Sequence, residues 1–139
     1  MPDTQQAFET ITASDIVNRY FAAYETQDRA VIDELLSETF TFTGPNDDHI
    51  DKALYFEKCW QFSNNSPTYR FEKLVASPDG DVFVLYECTV HLETFRNTEF
   101  FRISNNQIKA IEVFFGSLPE NGTKKKEISF YDTMISVKR

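Results

Sequence analysis

Hydrophobic positions recur at helical spacing in the first half of the chain and at every second residue through much of the second. In "TASDIVNRYFAAYETQD" the side chains of Ile16, Val17, Tyr20, Phe21 and Tyr24 fall on one helical face. Thr12 and Asp15 have the spacing at which each side chain caps the other's backbone, so this helix is predicted to begin there. A second helix, "DRAVIDELLS", takes Asp28 as its cap and buries Val31, Ile32, Leu35 and Leu36. The strand "TFTFT" follows, with Phe40 and Phe42 on one side of the pleat and Gly44 next in phase. Pro45 ends it. Asp51 caps a third helix, "KALYFEKCWQFS", which runs to "NNSP". Its Leu54, Phe56, Cys59, Trp60 and Phe62 spread widely around the cylinder, which predicts packing on two sides. Beyond it, "TYRFEKLVAS" and "DVFVLYECTVHLE" flank the turn "PDG", and "RNTEFFRIS" and "QIKAIEVFFG" flank "NN". A last strand is expected at "KEISFYDTMISV". Helices followed by consecutive hairpin strands predict an α+β fold with an antiparallel sheet, since parallel crossovers need intervening helices.

A length of 139 residues predicts one domain able to bury a core without disulfides or metals. Residues 1–10 read as a flexible tail and 11–139 as a single domain. The formal net charge of −8 sets the surface against nucleic acid and anionic membranes, so neither is an expected partner. Lys124 to Lys126, inside "PENGTKKKE", read as a solvated turn. Cys59 and Cys88 lack metal or redox spacing and read as reduced thiols. Together with an acidic N-terminus that has no secretory pattern, they predict a cytoplasmic protein. No apolar run approaches the ~18 residues of a membrane span. Phosphate loops, GxSxG and HExxH patterns are missing, and His49 and His91 stand far apart in sequence, so no cofactor and no metal are expected.

The segment "IVNRYFAAYETQDRAVIDELLSETFTF" resembles the opening of nuclear-transport-factor-2-like domains, a group that includes SnoaL-like cyclases and ketosteroid isomerase. "HIDKALYFEKCW" is similar to that family's third-helix entry, with Asp51 where glycine is usual. "TEFFRISNNQIKAIEVFFG" resembles its charged strand, turn and isoleucine-rich strand ending in aromatics. The resemblance spans about residues 11 to 116. It implies a cone-shaped, cystatin-like fold in which three N-terminal helices pack on a strongly curved antiparallel sheet. It further implies an apolar pocket at the open end and a homodimer formed through the sheet. An apolar patch from Phe83, Leu85, Phe100 and Phe114 on the second sheet face agrees with such pairing.

Ketosteroid isomerase uses a carboxylate base, with a tyrosine and a protonated carboxylic acid as oxyanion donors. By resemblance the tyrosine falls on Tyr20, the donor acid on Glu99, and the base on Gly44, which has no side chain. Asp47 and His49, from "NDDHID", are the candidates to supply the missing base, since histidine is the side chain type suited to moving protons near neutral pH. The expected catalytic set is therefore Tyr20, His49, Glu99 and Asp47. The expected pocket lining is Phe40, Phe42, Trp60, Phe101 and Phe115. Each has a plainer alternative. Tyr20 fills core on its helix, Asp47 and Asp48 are ordinary turn and cap residues, and glutamates such as Glu99 occur at strand rims. Glu99 shares a strand face with Phe101 and Ile103, where burial is expected to disfavour its charged form. His91 falls on the outer sheet face. Two functional readings stand: a cofactor-independent isomerase, cyclase or dehydratase acting on a small apolar carbonyl compound, and a non-catalytic ligand-binding or dimerisation scaffold.

Overall fold

The computed structural model describes residues 11–116, in which three helices and a short 3₁₀ turn cover one face of a six-stranded sheet. In chain order these are α1 (Ala13–Thr26), α2 (Arg29–Leu35), β1 (Leu36–Gly44), β2 (Asp47–Asp51), α3 (Lys52–Cys59), the 3₁₀ turn (Trp60–Asn65), β3 (Thr68–Ala76), β4 (Asp81–Val90), β5 (Glu93–Ser104) and β6 (Gln107–Phe115). The N-terminal tail, the lysine run at 124–126 and the expected final strand at 126–137 lie outside the described residues.

Local chemistry sets the helix starts. Thr12 Oγ1 accepts from the Asp15 amide at 3.1 Å while Asp15 Oδ2 accepts from the Thr12 amide at 3.2 Å, a complete capping box. Asp28 caps α2 by accepting from the Val31 amide, and Asp51 caps α3 by accepting from the Leu54 amide at 2.9 Å. Gln27 ends α1 in the left-handed region at φ 59. Two helix ends differ from expectation. α2 stops at Leu35, because Leu36 turns extended and enters β1 with both Leu36 and Ser37 buried. α3 stops at Cys59 and tightens into the 3₁₀ turn, which brings the chain to Ser66 and Pro67.

The sheet order is β2-β1-β6-β5-β4-β3. All neighbours are antiparallel except β1 and β6, which run parallel, with Thr41 beside Ala110 and Phe42 beside Ile111. This corrects the purely antiparallel expectation. The crossover exists, and it consists of α3 together with the β3–β5 meander instead of a single helix. Asn105 and Asn106 turn the β5–β6 hairpin with both φ positive, as a two-residue turn of that hand requires. The stretch "GPNDDHID", where Pro45 is expected to end the strand, is instead a tight hairpin. Thr41 pairs with Asp51 and Gly44 with Asp47, and the His49 amide donates to Thr43 Oγ1 at 3.0 Å.

Strand alternation then sorts the two faces. Val82, Val84, Tyr86, Cys88 and Val90 of β4 point inward, as do Phe95, Asn97, Glu99, Phe101 and Ile103 of β5. They meet Ile16, Val17, Tyr20 and Phe21 of α1 in one core. The outer face keeps Phe83 and Phe114 about half exposed, and the Phe83 and Phe100 rings lie 4.6 Å apart across β4 and β5.

Candidate active site

Between the helices and the inner sheet face lies a cavity walled by aromatic rings, among them Phe21, Phe42, Phe62, Tyr69, Phe95 and Phe115. About 70 Å³ of it is open to the centres of water-sized molecules, room for several waters or a compact organic group. Its polar lining comes from Tyr20, Tyr24, Tyr55, Tyr86, Asn97 and Glu99. Glu99 is the one carboxyl group among the described lining residues, and it is 8% exposed.

The polar groups form two hydrogen-bonded sets. In the helical wall, the Tyr55 hydroxyl bonds to the Tyr20 hydroxyl and, at 2.6 Å, to that of Tyr24. Three hydroxyls thus meet in one hydrogen-bonded set, with Tyr24 also within hydrogen-bonding reach of Tyr20. On the sheet, the Tyr86 hydroxyl donates to Glu99 Oε2 at 2.5 Å and receives a bond from Asn97 Nδ2 at 3.3 Å. Val84 of β4 faces Glu99 in the register, and Tyr86 faces Asn97, so adjacent strands place these groups on one patch. Burial pushes the hydroxyls of Tyr20, Tyr55 and Tyr86 well above the ordinary phenol range, and neighbouring tyrosines or Glu99 add to the shift. Tyr24 is raised too, first by burial. These phenols remain protonated donors across the physiological range.

The expected site residues separate into those that meet at the cavity and those that do not. Tyr20, Phe42, Glu99 and Phe115 line it. Phe40, Trp60 and Phe101 stand one layer behind and each supports a lining ring. Phe40 packs on Tyr55 with centroids 5.1 Å apart, Trp60 on Tyr24 at 4.8 Å, and Phe101 on Tyr20 at 5.3 Å. Position in an aromatic layer depends on ring direction, which strand phase does not distinguish. His49 lies elsewhere. It sits on the exposed β2 hairpin at φ 54, with Nδ1 on Asp48 Oδ1 at 2.6 Å, beside Thr41, Thr43 and Arg102 of the outer face. Asp47 is buried but faces α3, where Lys58 Nζ approaches it at 3.5 Å. Neither residue lines the cavity: the hairpin carries His49 to the outer face, and Asp47 turns to Lys58 of α3 instead. His91 occupies the β4–β5 turn and reaches Asn65 Oδ1 at 3.3 Å.

Three further lining residues bear directly on the chemistry. Asn97 was legible as a polar residue in the apolar phase of β5, and Tyr86 lies in the valine phase of β4. Tyr55 carries no such mark, since α3 is apolar on several sides.

The family model described as SnoaL-like domain matches residues 17–111. No curated protein sequence matches the chain. Among solved structures, an NTF2-like protein of unknown function from Cytophaga hutchinsonii superposes with a TM-score of 0.64 at 21% identity, covering 78% of this chain and 93% of its own. A candidate ketosteroid isomerase from Kribbella flavida gives 0.65 at 14% identity, covering 78% and 81%. A candidate SnoaL-like polyketide cyclase from Jannaschia sp. CCS1 gives 0.61 at 16%, covering 92% and 95%. At these identities the likeness is one of fold, and the fold hosts several activities.

Proposed function

Because the chain belongs to the SnoaL-like domain family, we propose that it is an acid/base enzyme of the isomerase, cyclase or dehydratase class, acting on a small apolar carbonyl compound. The observation that carries this reading is Glu99, a carboxyl group buried on the wall of an aromatic cavity and hydrogen-bonded by Tyr86. Such a group is placed to exchange a proton with a bound ligand out of reach of bulk water. In this reading Glu99 takes a proton from the carbon beside the carbonyl. The electron pair of that C–H bond forms a new C=C bond, the carbonyl π pair moves onto oxygen, and a hydroxyl of the Tyr20–Tyr55–Tyr24 set turned to that oxygen stabilises the enolate. Glu99 then returns the proton to another atom of the same molecule. The proton-moving role thus passes from His49 and Asp47 to Glu99, which occupies the cavity that they do not. The ring-lined walls and the carbonyl-directed activities named for fold neighbours support the substrate class.

The test is turnover of a panel of small ketones and enones by the protein and by Glu99→Gln. Loss of a general base lowers rates by ~100-fold or more, and that loss is expected here with folding intact. His49→Gln is expected to leave turnover unchanged. Equal activity of Glu99→Gln and the parent protein would remove the acid/base reading. The compactness of the cavity favours the second reading, a binding protein without catalysis, and ligand retention with no turnover by either form would establish it.

Pairing belongs to the same proposal. A second copy would cover Phe83, Phe100 and Phe114 on the outer face, which otherwise present aromatic surface to water. Light scattering at micromolar concentration is expected to give twice the chain mass, and Phe83→Asp to give the monomer. A stable monomer for the parent protein contradicts the pairing.

A further inference from the structure

Within the acid/base reading just given, we propose that Asn97 is a positioning residue that makes Glu99 a proton acceptor, by setting the direction of a hydrogen-bond chain from Gly116 through Asn97 and Tyr86. A backbone N–H can only donate, so the amide atom of Asn97 that meets the Gly116 N–H, at 3.3 Å, is its oxygen. The Asn97 nitrogen is thereby turned to Tyr86, and it donates to that hydroxyl at 3.3 Å. A phenol has one proton. With Asn97 filling an acceptor position, the Tyr86 proton goes to Glu99 Oε2, at 2.5 Å. Every bond in the chain runs the same way and ends on the carboxyl group as acceptor. A hydrogen bond received by a carboxylate favours its charged form, the form that takes protons.

The origin of the chain is itself fixed. The Gly116 N–H also donates to the Arg96 carbonyl at 2.8 Å, and a Cβ at position 116 would stand 2.3 Å from that oxygen. Only glycine lets the end of β6 approach β5 this closely and offer its N–H to Asn97. The direction matters for mechanism. In ketosteroid isomerase the second carboxyl group is kept neutral and donates to the oxyanion. Here the chain from Gly116 drives position 99 toward the opposite role.

The experiment is a carbon-13 NMR titration of the Glu99 carboxyl in glutamate-labelled protein, which needs no substrate. Tyr86→Phe is expected to raise the proton affinity of Glu99 by about tenfold. Asn97→Leu is expected to raise it by about three- to tenfold with Tyr86 present, and by nothing further in the Tyr86→Phe background. Equal rises in the two backgrounds would mean that Asn97 acts by packing, and no rise in either would mean that the chain has no direction; each overturns the proposal. If Asn97→Leu does not fold, Asn97→Ser carries the same comparison, since its hydroxyl is too short to reach Tyr86. Turnover separates the two claims. If the titrations behave as stated while Glu99→Gln remains fully active, the acid/base reading falls and the directed chain stands. If Glu99→Gln is inactive while Asn97 and Tyr86 leave the titration unmoved, the reading stands and the chain falls.

Discussion

Raising the pH above about 10 is expected to unfold the protein over a narrow range. Tyr20, Tyr24, Tyr55 and Tyr86 are buried, and burial is the largest cause holding each phenol above its ordinary value. In the unfolded chain they titrate near 10. A group whose folded value is raised contributes stability that is complete below the unfolded value and is lost as the pH climbs toward the folded one. Each such phenol removes about 1.4 kcal/mol per pH unit, so the four together remove about 5 kcal/mol per unit. Against a typical total of about 5–15 kcal/mol, one to three units suffice. Tyr69, half-buried, shifts in the same direction, again first by burial. Absorbance of tyrosinate near 295 nm, followed with far-ultraviolet circular dichroism, is the measurement. The two signals are expected to change together. Tyrosinate appearing gradually near pH 10 with the helical signal unchanged would show that these hydroxyls reach solvent in the folded state.

Phe101→Ala is expected to cost about 3–5 kcal/mol, read as a lower midpoint in urea with little change in slope. The ring is wholly buried and meets Tyr20 at 5.3 Å and Phe21 at 5.8 Å, both edge-on. Truncation forfeits its burial and leaves a void that α1 cannot fill without moving off the sheet. Phe101→Leu keeps most of the volume and is expected to lose less than half as much. A shift below about 1 kcal/mol for the alanine variant would show that α1 collapses onto the sheet to close the gap. Tyr20 rests on this ring, so the same collapse would be visible as an altered cavity.

Much of this was readable in the residues, for reasons that differ from element to element. Thr12, Asp15, Asp28 and Asp51 act on amides three positions away, so a few letters contain the whole interaction. Glu99 could be placed on the inner face because strand phase is a period of two, whereas Asn97, in the same phase, was missed. The parallel β1–β6 pair was not readable, since Phe42 and Ile111 are brought together only by the whole intervening chain. Nor was the hairpin at Asp47, where Gly44-Pro45 reads as an ending and the left-handed residue of the β2 irregularity is a histidine instead of a glycine. The tyrosine set was hidden for a third reason. Tyr20 and Tyr24 come from one helix and Tyr55 from another, and no periodicity within either predicts that their hydroxyls meet.

The strand order also decides how this sheet behaves toward other sheets. Among the described residues its edges are β2 and β3, and each is a poor template for strand addition. β2 has five residues, three of them aspartates, and the Asp48 side chain is almost wholly in water. β3 carries a bulge between Phe71 and Lys73 and bears Arg70, Glu72 and Lys73 along the same stretch. Arg70 and Glu72 are tied back to Glu87 of β4 and Arg96 of β5 at 3.0 and 2.8 Å. A chain arriving edge-on would meet like charges at one side and a broken ladder at the other. Among the described residues, both ends of the sheet thus resist the edge-to-edge pairing from which fibrils grow.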